Sequence, residues 1–247
     1  MKTGYVTTVA MAITGLFTVA GAQATPITFF GEDGNLTGTV PMTAHPNSDA
    51  AQANFFSNLT GIGTYGFDSA PAGATHVAAN FSNGVTASVS GGTVYDHPNG
   101  TGMFAISNPN YYLTDTSSFS VAFNSPIAAF GFYGTDIGDW GGLLSLTLTK
   151  NGGGTVSLNV PALIGSNGSQ PENGSVLYFG FYDLGATYTS IAFNNSNTAD
   201  LFGFDNFSVG TTAQVTPTPS SVPEPASLAL VGLGLVSLAA TRRYRKA

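Results

Sequence analysis

No cysteine occurs among the 247 residues, which excludes disulfides, thiolate metal sites and cysteine nucleophiles. Charge is scarce as well. Asp, Glu, Lys and Arg make up 8% of the chain, too little for the Glu/Lys/Arg-rich outer faces of surface helices. Of the six basic residues, five stand at the two ends: Lys2, Arg242, Arg243, Arg245 and Lys246. Between residues 25 and 221 twelve acids are set against Lys150 alone, a formal charge of −11. Such a body repels nucleic acid and anionic lipid, which need Lys and Arg against phosphate, so nucleic acid is excluded as a partner. The same charge suits divalent cations or neutral sugars, and equally a plainly solvated surface. Catalytic signatures are missing too: there is no H-E-x-x-H and no G-x-S-x-G. The histidines are His45, His76 and His97. Asp96 and His97 are neighbours, but on a strand they would point to opposite faces, so no dyad is expected. The chain reads as a non-enzyme.

What is abundant is glycine (32), phenylalanine (18) and runs of period two. Apolar or alternating stretches of four to eight residues, bounded by Gly, Asn, Asp and Pro, predict strands. They fall near 27–30, 64–68, 75–81, 85–90, 92–95, 103–106, 118–123, 127–134, 143–149, 154–160, 175–183, 187–194 and 201–209. Ser82-Asn83-Gly84 and the run 151–154, NGGG, read as hairpin turns. One stretch, SDAAQANFFSNL, has helical spacing, with Ser48 as its expected N-cap and Gly61 as its stop. Closely spaced strands without crossover helices predict an all-β, antiparallel β-sandwich with one short helix. The expected architecture is jelly-roll-like and resembles the jelly rolls of carbohydrate-binding modules and legume-type lectins.

The ends read as addresses. The first 24 residues combine Lys2, an apolar stretch and Ala22-Gln23-Ala24, the pattern of a signal peptide cleaved after Ala24. The sandwich then spans 25–212, followed by a Pro/Thr/Ser-rich extended linker over 213–222. Pro223-Glu224-Pro225 opens the last segment, with an apolar run over 226–241 and the basic end RRYRK. Sixteen helical residues reach about 24 Å against a hydrocarbon core of about 30 Å, a short membrane span that Arg242 and Arg243 can extend by snorkelling. The basic tail puts the C-terminus in the cytoplasm. In order and position these three parts, over 222–247, resemble the PEP-CTERM sorting signal of Gram-negative bacteria, which the membrane peptidase exosortase reads. The resemblance implies that Pro223, Glu224 and Pro225 are the recognition and cleavage motif. It also implies that exosortase and the secretion machinery are partners. The 226–241 helix then holds the inner membrane transiently, before the protein reaches the cell surface or extracellular matrix.

Within the body, SPIAAFGFYGTDIGDWGGLLSLTLT is the most informative stretch. Asp136 and Asp139 lie three apart in a glycine-bounded loop beside Trp140, the single tryptophan. Two such carboxylates can supply oxygens to Ca²⁺, or Asp136 can cap a turn while Asp139 is solvated. In FGFDNFSVG, Asp205 falls among residues that want burial, so it must be paired or bound to metal. The resemblance to carbohydrate-binding jelly rolls implies a structural Ca²⁺ shared by that Asp205 with Glu32 and Asp33 after the first strand; a hydrogen-bonded strand-end aspartate fits as well. For sugar stacking the candidates are Trp140, Tyr111 and Tyr112, with core packing as the alternative. The expected function is that of an exported, exosortase-processed surface or matrix protein that associates with extracellular polysaccharide through a Ca²⁺-stabilised sandwich. A structural or adhesive matrix component without glycan recognition is the alternative, and a secreted glycan hydrolase a third.

Overall fold

The computed structural model describes residues 25–107, 109–114, 118–163, 165, 168 and 170–216. The expected signal peptide, the Pro223-Glu224-Pro225 motif and the apolar run 226–241 lie outside them. Among the described residues no helix is long and apolar enough to cross a membrane.

Period-two patterning becomes strands almost throughout. In chain order they are β1 (Ile27–Asp33), β2 (Gly63–Tyr65), β3 (His76–Asn80), β4 (Thr86–Ser90), β5 (Thr93–Tyr95), β6 (Tyr111–Thr114) and β7 (Ser118–Ile127). There follow β8 (Ala129–Thr135), β9 (Leu144–Lys150), β10 (Thr155–Asn159), β11 (Val176–Tyr182), β12 (Tyr188–Asn195) and β13 (Phe202–Gly210). One helix, α1 (Pro46–Phe56), lies between β1 and β2. The strands pair antiparallel in two sheets. One runs β1-β11-β8-β13-β6-β5, with β2 on β13; the other runs β10-β9-β12-β7-β4-β3. The predicted sandwich and its single short helix are thus present.

Phenylalanines fill the space between the sheets. Phe119 on β7 meets Phe204 on β13 at 4.8 Å between ring centroids, and Phe193 on β12 meets Phe132 on β8 at 5.2 Å. In β13 the apolar residues are Phe202, Phe204, Phe207 and Val209, all in this core. A spacing of three between Phe204 and Phe207 would turn one of them outward in a regular strand. A bulge between Asp205 and Ser208, with Asn206 at φ 50°, restores the phase.

The two sheets differ in their outer faces. β9 alternates buried and half-buried residues, whereas β8 and β11 are buried at every position. Helix α1 covers those strands from outside. Gly31, Gly131 and Gly180 make its seat: a Cβ on Gly31 would collide with the Asn47 carbonyl, and Cβ atoms on the other two would crowd Phe55. The helix begins one turn earlier than predicted. Pro46 occupies its first turn, and Ser48 lies inside it, fully buried, instead of capping it. The cap comes from another element: Asp33 on β1 accepts from the Asn47 and Ser48 N–H groups at 3.1 and 2.9 Å and from the Ser48 hydroxyl at 2.9 Å. A carboxylate there meets both the orphan donors and the positive end of the helix dipole.

Two further expectations change. Residues 103–106 form no strand, and Tyr111–Thr114 pairs with β13 and β5 instead. The expected linker does not leave the body at residue 213, because Val215 bridges Leu59 and Thr216 N–H donates to the Asn58 carbonyl at 2.9 Å.

Candidate functional site

The loop over 136–143, between β8 and β9, carries the densest polar chemistry. Its course needs positive φ at Asp136 (64°), Gly138 (91°) and Gly141 (81°), where glycine is unstrained and aspartate is among the more tolerant residues. Asp136 Oδ1 accepts from Gly174 N–H at 2.6 Å. Asp200, at the foot of β13, holds the loop from the other side: its Oδ2 accepts from Gly142 N–H at 2.7 Å and Trp140 N–H at 3.2 Å. Asn197 donates to the Trp140 carbonyl at 3.0 Å. Gln170 turns its amide nitrogen to the Asp139 carbonyl at 2.7 Å and its oxygen to Gly141 N–H at 3.2 Å.

These contacts enclose a pocket of about 360 Å³ lined by Asp136, Asp139, Asp200, Asn173 and Trp140. A Cβ on Gly102 would collide with both Asp136 Oδ1 and Asn173 Oδ1, so glycine is needed for the wall to close. Asp136 and Asp200 are 3% and 2% exposed. Burial pushes the Asp136 carboxyl up to about 7, against the pull of Gly174 N–H. Burial also raises Asp139 and Asp200, and the carboxyls of Asp136 and Asp200 raise Asp139 further. Asp139 and Asp200 are neighbours in this pocket. Yet Asp139 Oδ1, Asp200 Oδ1 and Asn173 Oδ1 are all buried without a donor. Among the described residues no three His, Cys, Asp or Glu side chains form a ready-made metal cluster.

The structure divides the other predicted site residues. Asp205 is separated from Glu32 and Asp33 by two intervening strands, since β11 and β8 lie between β1 and β13, or about 14 Å at strand spacing. One shared ion is therefore ruled out by the strand order, and each acid has its own task. Asp33 caps α1. Glu32 accepts from Leu163 N–H at 2.6 Å, and burial raises its carboxyl. Asp205 accepts from Ile106 and Ser107 N–H, both at 2.9 Å, and from Asn206 N–H at 2.7 Å. It thereby pins the segment that had been expected as a strand over 103–106.

Tyr111 and Tyr112 are fully buried and cannot stack on a sugar. The Tyr112 hydroxyl accepts from Gly92 N–H at 2.8 Å and donates to the Thr75 carbonyl at 3.2 Å. Trp140 is the opposite case, 69% exposed at the pocket rim. Asp96 and His97 do meet, at 2.6 Å, because they follow the end of β5 in a bend where strand alternation no longer holds. Both are more than half exposed. The view of the acids as surface charge is corrected too: Glu32, Asp33, Asp136, Asp183, Asp200 and Asp205 are buried.

Sequence reasoning missed Asp200 and Asn173. Asp200 stands just before the apolar strand FGFDNFSVG, the position from which a carboxylate can reach a neighbouring loop; Asn173 carries no comparable signal.

A comparison with curated proteins gives no match. Residues 221–246 match the family model of the PEP-CTERM protein-sorting motif. The match contains the Pro223-Glu224-Pro225 element, the apolar run and the whole basic end RRYRK, leaving out only Ala247. The chain therefore carries a PEP-CTERM protein-sorting motif over 221–246, the signal of an exported surface protein targeted to exosortase.

Proposed function

We propose that the exported body is a non-enzymatic, Ca²⁺-stabilised β-sandwich that associates with extracellular polysaccharide through its Trp140 edge, and that the trimmed protein serves at the cell surface or in the matrix. The observation that carries the glycan part is Trp140 itself. A large aromatic held 69% exposed, with its backbone bonded on both sides to Asp200 and Asn197, is a rigid stacking platform for a pyranose ring. Its neighbours in the pocket are carboxylates and an amide, the groups that bond sugar hydroxyls.

The carboxyl geometry supports a non-enzymatic role. Asp136 Oδ1 and Asp200 Oδ2 are committed to backbone N–H groups that hold the loop, structural tasks rather than acid–base ones. The purely adhesive reading draws on the exposed Leu143 and Leu184, at 68% and 63%.

The test is affinity electrophoresis of the full-length chain in gels cast with extracellular matrix polysaccharide. Retardation of the wild type, largely lost in Trp140→Ala, is the expected result. Equal mobility with and without polysaccharide would remove glycan recognition and put the adhesive reading first.

A further inference from the structure

We infer that Asp139, Asp200 and Asn173 form a binding site for one divalent cation of calcium's class, directly beneath Trp140. The inference rests on the calcium part of the proposed function and narrows it to a single site.

The argument starts from donor bookkeeping. Asp200 is 2% exposed; its Oδ2 is satisfied by two backbone N–H groups, but its Oδ1 has no donor. Asp139 Oδ1 and Asn173 Oδ1 are in the same condition, and all three residues line one pocket. Buried acceptors are normally satisfied, and each one left bare is costly. A shared proton could bridge Asp139 and Asp200 but would leave the Asn173 oxygen bare. A water could donate to Asn173 but would not neutralise two facing carboxylates. A cation seated in the pocket they share would meet the charge of both carboxylates and offer itself to all three oxygens.

The donor set selects the class of ion. It contains only oxygen, so the soft and borderline metals that prefer thiolate or imidazole are disfavoured. Mg²⁺ demands near-ideal octahedral geometry at about 2.0–2.1 Å, whereas Ca²⁺ accepts six to eight irregular oxygens at about 2.3–2.6 Å. The protein offers two carboxylates and one amide oxygen rather than a closed cluster, which leaves several positions to water. Asp136 stands behind them with Oδ1 committed to Gly174 N–H, adding negative potential. The site also ties the loop over 136–143 to the foot of β13 and to the segment before β11, so a bound ion would fix the platform that displays Trp140.

Terbium provides the test, because Tb³⁺ occupies Ca²⁺ sites and luminesces when an adjacent tryptophan is excited. The chain has one tryptophan, and it lines the pocket. Chelator-stripped full-length protein is titrated with Tb³⁺ under excitation selective for Trp140. Emission should saturate near one equivalent, and Ca²⁺ but not equal Mg²⁺ should displace it. Asp139→Asn and Asp200→Asn should each weaken Tb³⁺ binding at least about tenfold, whereas Asp96→Asn should not. In Asp139→Asn the new amide can donate to Asp200 Oδ1, so the fold is kept, which unchanged near-UV circular dichroism verifies. Trp140→Phe should lose the emission yet keep Ca²⁺ binding by calorimetry. Absence of saturable emission, or emission unchanged in both pocket variants, overturns the site. If Ca²⁺ nevertheless raises the melting temperature, the calcium-stabilised reading survives with its ion elsewhere; if it does not, both fall.

Discussion

Asp205 and Asp200 stand at the two ends of the same short stretch, one inside β13 and one at its foot, and both are almost wholly buried. Their surroundings differ in one respect. Each Asp205 oxygen has a backbone donor, and the group pins residues 106 and 107. Asp200 has donors for one oxygen only; the other has none, and its neighbour Asp139 can supply none unless protonated. The first is a structural clamp and the second an unfinished site. Burial of a carboxylate therefore does not identify a ligand site; the count of donors against acceptors does.

The comparison can be broken most sharply at Asp205. Asp205→Ala strands the Ile106 and Ser107 N–H groups, at about 1–3 kcal/mol each, and should lower the unfolding midpoint by about 10 °C. Thermal unfolding checks it, and a change under about 2 °C would contradict the clamp. The same group sets a pH dependence. Burial pushes Asp205 from 3.8 up to about 7, with the nearby Asp68 raising it slightly. A carboxyl raised in the fold contributes stability that is fully present below about pH 4 and lost as pH rises through about 7, a loss on the order of 3 kcal/mol. Urea unfolding in chelator at pH 4, 6 and 8 should show this decline, and it should shrink in Asp205→Asn.

At the other pole, Ca²⁺ at a hundredfold excess over Kd should stabilise the wild type by about 2.7 kcal/mol, roughly 5–10 °C. That shift should persist in Asp205→Asn and vanish in Asp200→Asn; the reverse pattern would exchange the two roles. Asp33→Ala, which removes the cap of α1, should cost about 1–2 kcal/mol with the Ca²⁺ shift intact in differential scanning calorimetry. Trp140→Ala should have the smallest effect on stability, within about 0.5 kcal/mol, while weakening polysaccharide retention. A large loss of stability there would mean that Trp140 packs more than its exposure implies.

Most strands were legible because sandwich patterning is local. Alternation in SLTLT or TASVS reports one wet face and one dry face, and glycine-rich turns mark the hairpins. MFAI, over 103–106, was misread because it is as apolar as a strand; its order comes from the Asp205 carboxylate about a hundred residues away. Tyr111 and Tyr112 lie next to turn residues and so read as exposed, although β6 is buried at every position. Ser48 matched the preferred cap type, but Asp33, brought alongside by the docking of α1 on β1, took the role. Of the pocket, Asp136, Asp139 and Trp140 were visible as a loop motif. Asp200 and Asn173 were not, because they come from two other segments that meet the loop only in space.

The sequence by itself determined the address, since a sorting signal is read as a linear pattern of Pro-Glu-Pro, apolar run and basic tail. It also determined the sandwich, because alternating hydrophobicity and turn chemistry act between near neighbours along the chain. Only the tertiary structure decided which acids are clamps and which face one another. That depends on strand order, which keeps β1 and β13 apart and brings the foot of β13 under the loop over 136–143. Whether a buried carboxylate finds donors is settled by segments far away in sequence, and no local pattern encodes them.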